Sequence, residues 1–183
     1  DFSAKSQFVI PALLGVAESL KIGLCNEITR LKKFGRYTDE ARATLVKKNP
    51  GVYDCTLADQ TVLRLQSPTL SAVQFDELLK PFLERDFLYA RETDYGLTCS
   101  IFAPLEDALD RAELSRDEID LCLLVGGSSL IPQMIEAIAT DFPQTKLLRF
   151  EDADATQTAV ARGAAWQALA LTLYGQGVIQ PVT

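Results

Sequence analysis

Apolar residues recur at helical spacing from about Pro11 to Lys33, where Leu13, Ala17, Leu20 and Leu24 fall at i, i+4, i+7 and i+11. This spacing predicts a helix with one side facing a core. Pro11 lies in its first turn, where a missing N–H is tolerated. Gly35 closes the segment, and Arg30, Lys32 and Lys33 occupy the last turns, where the helix dipole favours cations. Thr38 to Lys48 predicts a short second helix, with Thr38 as cap, Asp39 and Glu40 in the first turn, and Asn49-Pro50-Gly51 as its stop. The period then falls to two. Tyr53, Cys55 and Leu57 alternate with polar neighbours, and Leu63 and Leu65 share a face. Ala58-Asp59-Gln60 between the runs predicts the turn of a hairpin.

Ser67 to Ser71 reads as a loop. Helical spacing returns at Phe75, with Leu78, Leu79, Phe82 and Leu83 on one side, and Pro81 predicts a kink or break nearby. Asp94-Tyr95-Gly96 separates this segment from a helix over Pro104 to Ala112. Ser115-x-x-Glu118 is a capping box that opens a short turn. Leu121-Cys122-Leu123-Leu124-Val125 is unbroken and apolar, the pattern of a strand buried on both faces. Gly126-Gly127-Ser128-Ser129 follows, then a helix from Ile131 to Asp141, a strand from Lys146 to Phe150, and a helix from Thr156 to Leu173. That last helix carries Ala159, Ala161, Gly163, Ala164 and Ala165 as a small-residue packing surface. Strand, glycine turn, helix, strand, helix predicts an α/β layer with parallel pairing. The organisation changes near residue 97. Helices and a hairpin lie in 1–97, and the α/β layer lies in 98–183.

Composition narrows the chemistry. Of 183 residues, 48% are apolar and 23% charged, an ordinary globular balance. No eighteen-residue apolar run is present, and Asp1-Phe2-Ser3-Ala4-Lys5 is not a signal peptide, so no membrane partner is expected. There is no histidine, which excludes a Ser-His-Asp or Cys-His triad and any His-ligated metal within the chain. The single methionine is Met134, so the chain reads as a processed product or a piece of something longer. The net charge is −7, and the basic group Arg30, Lys32, Lys33 and Arg36 reads as a solvated helix end. Nucleic acid is therefore not an expected partner. The four cysteines form no CxxC pair, which points to reduced thiols and a cytoplasmic protein.

The strongest local signal is Gly126-Gly127-Ser128 between a strand and a helix. Two glycines allow a ligand close to the backbone, and the helix start beyond offers unpaired N–H groups to an anionic or polar ligand. The same turn also serves purely structural ends. It is neither a GxxxxGK[ST] loop nor a GxGxxG fingerprint. Glu151-Asp152-Ala153-Asp154 reads as a solvated loop, and nothing organises Asp141, Asp152 and Asp154 as a metal pair.

Leu123 to Pro132 resembles the adenosine motif of DnaK-type chaperones, the seventy-kilodalton heat-shock family. Ala159 to Ala168 is similar to that family's small-residue helix, Ala17 to Leu24 to its lid helix, and Phe75-Asp76-Glu77-Leu78 to a further segment. The four occur in family order, with apparent insertions near Thr38 to Gly51 and Arg85 to Gly96. The resemblance implies an α/β, partial actin-like ATPase (ribonuclease H-like) lobe with a helical-plus-hairpin lid subdomain. It implies adenosine contacts from Glu18, Lys21, Ile22 and Cys25, which share one helix face, and from Gly126, Gly127, Ser128 and Leu130. Read without the resemblance, Glu18 and Lys21 are an i, i+3 surface pair.

The implied ligand is ATP or ADP with Mg2+, bound in an intact parent. The implied partners are the missing first lobe and phosphate loops of that parent, its client proteins, and a nucleotide exchange factor at the lid. Val178 to Val182 would then be an exit toward a linker or substrate domain. Three positions depart from the family pattern. Leu130 stands for an arginine that stacks on adenine, Gln157 for an aspartate, and Cys25 for a hydroxyl residue. The family's glycine-rich phosphate segments are absent, so the chain by itself is not expected to hydrolyse ATP. The alternative is a degenerate, non-hydrolysing interaction or scaffold module. A sugar or acetate kinase of the same superfold fits less well, because the four segments in order look chaperone-like.

Overall fold

The computed structural model describes residues 8–85, 88–89, 98–150 and 152–175, and the chain divides into two compact units, Asp1–Ser100 and Ile101–Thr183. The expected separator Asp94-Tyr95-Gly96 and the tail Val178 to Val182 lie outside the described residues.

The first unit is organised by α1 (Ile10–Lys33). Val16, Leu20, Leu24, Cys25 and Ile28 are its buried residues, a stripe that winds with the helix. Ala17, expected on that stripe, is exposed, and Leu13 is half-buried. Val16 holds the inward position one residue earlier. Gly35 takes the left-handed conformation at φ 65°, and the Arg36 N–H returns to the Leu31 carbonyl at 2.8 Å, so glycine ends the helix as expected.

The helix expected over Thr38 to Lys48 stops early. Thr38 does cap it, accepting the Ala41 N–H at 3.2 Å, but α2 covers only Asp39–Thr44. The next residues form β1 (Val46–Lys48), paired antiparallel with β4 (Thr69–Ser71). The residues expected to be loop are thus partly strand. Hydrogen bonds from a segment distant in sequence outweigh the local helical preference.

The hairpin forms as expected from β2 (Val52–Thr56) and β3 (Val62–Gln66), with Cys55 opposite Leu63. Gln60 has φ 68° in the turn, and the Asp59 carboxylate accepts the Thr61 N–H at 3.0 Å.

Helix α3 (Ala72–Leu83) begins with a capping box, in which Ser71 accepts the Gln74 N–H at 3.1 Å and Gln74 accepts that of Ser71 at 3.0 Å. Ala72, Phe75 and Leu79 are buried, whereas Leu78 and Phe82 are exposed, so the apolar face is narrower than its spacing suggested. Pro81 sits in the last turn, and the helix ends two residues beyond it. Arg42 of α2 donates to Asp76 of α3 and joins the two helices. A short pair, β5 (Leu88–Tyr89) and β6 (Thr98–Cys99), completes the described elements of this unit.

The second unit starts with α4 (Phe102–Ala112), which Glu113 closes in the left-handed conformation. The Ser115–Glu118 capping box is formed around a single 3₁₀ turn, Arg116–Glu118. Arg116 then bridges two helices. Its Nη2 donates to Glu106 of α4 at 2.7 Å, and its Nε donates to Asp141 of α5 (Pro132–Asp141) at 3.1 Å. Arg116→Ala should therefore lower the stability of this unit by about 1–2 kcal/mol, since two partly buried carboxylates lose a charged donor. A change below about 0.3 kcal/mol in guanidinium unfolding would show that the bridge is only surface decoration.

Strands β7 (Leu121–Leu124) and β8 (Lys146–Arg149) pair in parallel, with Leu123 opposite Leu148. The parallel layer expected from the sequence is present. Burial on both faces is not. Leu124 is 6% exposed, but Leu121 is 51% and Leu123 53% exposed. Alternation puts these two on the face opposite Leu124, and their exposure shows that this face is left partly open by the described residues.

Helix α6 (Ala153–Tyr174) begins three residues earlier than expected, because Asp152 caps it. Asp152 and Asp154 are thus a helix start rather than a solvated loop. Ala161, Gly163, Ala164 and Ala165 are exposed, so the small-residue surface has no packing partner within the described residues.

Candidate functional site

Each set of expected ligand residues is gathered within its own unit. In the first unit, Glu18, Lys21, Ile22 and Cys25 lie along α1 but differ in accessibility. Glu18 and Ile22 are exposed, Lys21 is half-buried, and Cys25 is buried in the stripe with Leu24 and Ile28. Burial pushes the Cys25 thiol up to about 11, against a smaller opposing effect of the Lys21 charge. The thiol therefore stays protonated near neutral pH and offers a weak donor rather than a nucleophile. Helical spacing put all four on one face of the helix. The inward pitch of the stripe turns the last of them into the core.

In the second unit, β7 ends at Leu124 and the chain turns through Gly126. Gly126 has φ 83° and ψ 158°, a conformation open essentially to glycine alone. A Cβ there would meet nothing within 4 Å, so backbone strain and not crowding demands glycine. A 3₁₀ turn, Gly127–Leu130, follows. Ser129 donates its hydroxyl to the Gly126 carbonyl at 2.8 Å, and the Ser129 N–H bonds the same oxygen at 3.1 Å. The amides of Gly127 and Ser128 take no partner among the described residues. These are the donors that a polar or anionic group could use.

The source of the donors differs from the expectation. They come from the turn itself, not from the start of α5, whose first residue is Pro132 and carries no N–H. Leu130 is half-buried at the end of the turn.

Two residues of α6 stand against the turn: Thr156, which was not expected there, and Gln157, already singled out as a departure from the family pattern. The Gly126 N–H donates to the Thr156 carbonyl at 2.9 Å, and Thr156 is 1% exposed. Gln157 lies against Gly127, with its Nε2 and Cγ 3.8 and 3.9 Å from where a Cβ would stand. Both lie in the helix opening that Asp152 caps. The signal was present in the sequence, since aspartate before an alanine-rich helical run is a strong N-cap pattern. Among the described residues, no group of three or more acidic or cysteine side chains could hold a metal ion. No helix there is long and apolar enough to cross a membrane.

A mixed α/β chain with a glycine turn after a parallel strand is compatible with several protein classes, and comparison with known proteins separates them. The family described as Hsp70 protein matches residues 24–179, and the chain belongs to that family. Among its relatives, a ribosome-associated molecular chaperone of Eremothecium gossypii is 36% identical over 120 residues, 64% of this chain and 19% of that protein. The chaperone protein dnaK1 of Synechocystis sp. is 33% identical over 111 residues, covering 61% of this chain and 13% of its own length. Human hypoxia up-regulated protein 1 is 31% identical over 103 residues, 56% of this chain and 8% of its own. The chain thus spans about a fifth, or less, of the curated relatives it matches. The matched residues contain Cys25, Gly126, Gly127, Ser128 and Leu130, whereas Glu18, Lys21 and Ile22 precede them.

Proposed function

We propose that this chain is part of the nucleotide-binding domain of an Hsp70-type chaperone and contributes the adenosine side of its ATP or ADP cleft. Residues 1–97 are then the lid subdomain of the second, actin-like lobe, and 98–183 are part of the base. The observation that carries the reading is the Gly126–Leu130 turn. Its left-handed glycine is followed by the Gly127 and Ser128 amides, which have no partner among the described residues, at the end of a parallel strand. Glu18, Lys21 and Ile22 on α1 are the second contact set, with Cys25 behind them. The nucleotide, when bound, supplies the phosphates whose hydrolysis drives lobe closure in the parent. The residues here bind and orient its nucleoside end. Mg2+ would accompany the phosphates, which this reading leaves to the first lobe of the parent.

Uncovered apolar surface supports a larger parent. Leu121 and Leu123 on β7 and Val160, Trp166, Leu171 and Tyr174 on α6 are exposed among the described residues. A groove of about 340 Å³ beside the turn is lined by Pro104, Leu105, Leu123, Val125, Met134 and Ile138 and by no residue of β8. The missing lobe is the occupant this reading assigns to the exposed faces of β7 and α6, while the groove, which Ser128 and Ser129 also line, adjoins the nucleotide contacts. Client proteins and an exchange factor at the lid remain partners of the parent in this reading. A cytoplasmic setting accords with the free thiols of Cys25, Cys55 and Cys122.

A second reading, a non-hydrolysing scaffold relative, is favoured by the aliphatic Leu130 and by the buried Cys25. Calorimetric titration of ADP and ATP with magnesium into the full-length parent separates the two. Heat of binding is expected below millimolar nucleotide, and its absence would sink the nucleotide reading. Leu130→Arg should tighten adenine nucleotides by about two- to thirtyfold, the range of a cation–π contact. Unchanged affinity would mean that position 130 does not face the base.

A further inference from the structure

We propose that Asp152 is a positioning residue for the glycine turn and acts on it through Thr156. The Asp152 carboxylate accepts the N–H groups of Asp154 at 3.2 Å and Ala155 at 3.1 Å. Its carbonyl accepts both the N–H and the hydroxyl of Thr156, each at 3.0 Å. The side chain thus satisfies two donors of the first turn of α6 that otherwise lack partners, and the carbonyl takes the helix's opening hydrogen bond. Thr156 is held in the wound first turn and is almost fully buried. Its carbonyl receives the Gly126 N–H at 2.9 Å. That bond anchors the turn just before the two unpartnered amides. The next residue, Gln157, comes to 3.8 Å from where a side chain at Gly127 would begin, so the same helical turn faces both glycines. If the first turn of α6 unwinds, the Thr156 carbonyl moves away and the Gly126 anchor is lost.

The binding part of the test rests on the nucleotide reading, whereas the exchange part does not. In the full-length parent without nucleotide, Asp152→Ala should speed amide exchange at Gly126 about fivefold, the effect of losing one cap. Asp152→Asn should leave exchange within about twofold of the original, because asparagine caps as well as aspartate. Thr156→Val, which keeps the shape and removes the hydroxyl, should speed exchange by a smaller factor. Ala161→Gly weakens the same helix at an exposed position away from the turn and should leave Gly126 within about twofold. Calorimetry with ADP should show the same order, with about fivefold weaker binding for Asp152→Ala alone. Unchanged Gly126 exchange in Asp152→Ala would overturn the proposal. So would an equal rise in Ala161→Gly, which would mean that α6 stability, and not the cap, governs the turn. Altered exchange with no ADP binding in any variant would uphold the role of Asp152 and remove the nucleotide reading instead.

Discussion

Leu24→Ala should destabilise the first unit by about 3 kcal/mol or more, because it removes a large side chain that is 0% exposed. Leu24 sits in the middle of α1, between Leu20 and Ile28 on the buried stripe. The helix contacts β1, β2 and β4, so the resulting cavity would be lined by fixed elements on several sides. Such a site relaxes poorly, and the cavity adds to the lost transfer free energy. The midpoint of thermal unfolding should fall by roughly 10 °C or more for a unit of this size. Leu14→Ala on the same helix is the control, because Leu14 is 62% exposed and should change stability by less than about 0.5 kcal/mol. Equal losses in the two variants would show that α1 is not seated as described.

Gly126→Ala should disrupt the second unit's turn, and Gly127→Ala should not. The first substitution places a Cβ on a backbone at φ 83° and ψ 158°, with strain of about 1–3 kcal/mol or a flip of the peptide. A flip would withdraw the Gly126 N–H from Thr156 and re-aim the Gly127 and Ser128 amides. Under the nucleotide reading, ADP affinity in the parent should then fall by about tenfold or more. The second substitution brings its Cβ only to 3.8 Å from Gln157, an ordinary contact, at a residue that carries no positive φ. Its effect on stability should stay under about 1 kcal/mol. Comparable damage from both would mean that crowding, not the backbone conformation of Gly126, sets the requirement for glycine.

Local signals carried much of the fold. The α1 spacing, the hairpin around Asp59, the capping box at Ser115 and the parallel β7–β8 pair all follow from residues close together in sequence. Two of the failures share a cause. Val46 to Lys48 reads as helix until β4 supplies a partner, and Thr69 to Ser71 reads as loop until β1 does. Neither strand has enough length or alternation to declare itself. At the candidate site, Gly126, Gly127 and Ser128 were legible because two glycines directly after an apolar run mark a sharp backbone turn at a strand end. Thr156 and Asp152 were not found, though the cap signal was there. Their importance lies in a bond from Gly126 to a carbonyl far along the chain, and no periodicity encodes a backbone acceptor.

By itself the sequence determined the absence of histidine chemistry, the α/β character of the last third, the glycine turn and a likeness to Hsp70-type chaperones that the family match upholds. These depend on residue identity and short-range order, which a linear chain displays directly. Tertiary structure alone decided which side of α1 is inward, and so why Cys25 is buried while Ile22 is exposed. It alone decided that Leu121 and Leu123 face outward and that the glycine turn hangs on the first turn of α6. Burial and long-range hydrogen bonds belong to pairs of residues brought together by folding, and apolar patterning constrains such pairs without naming them.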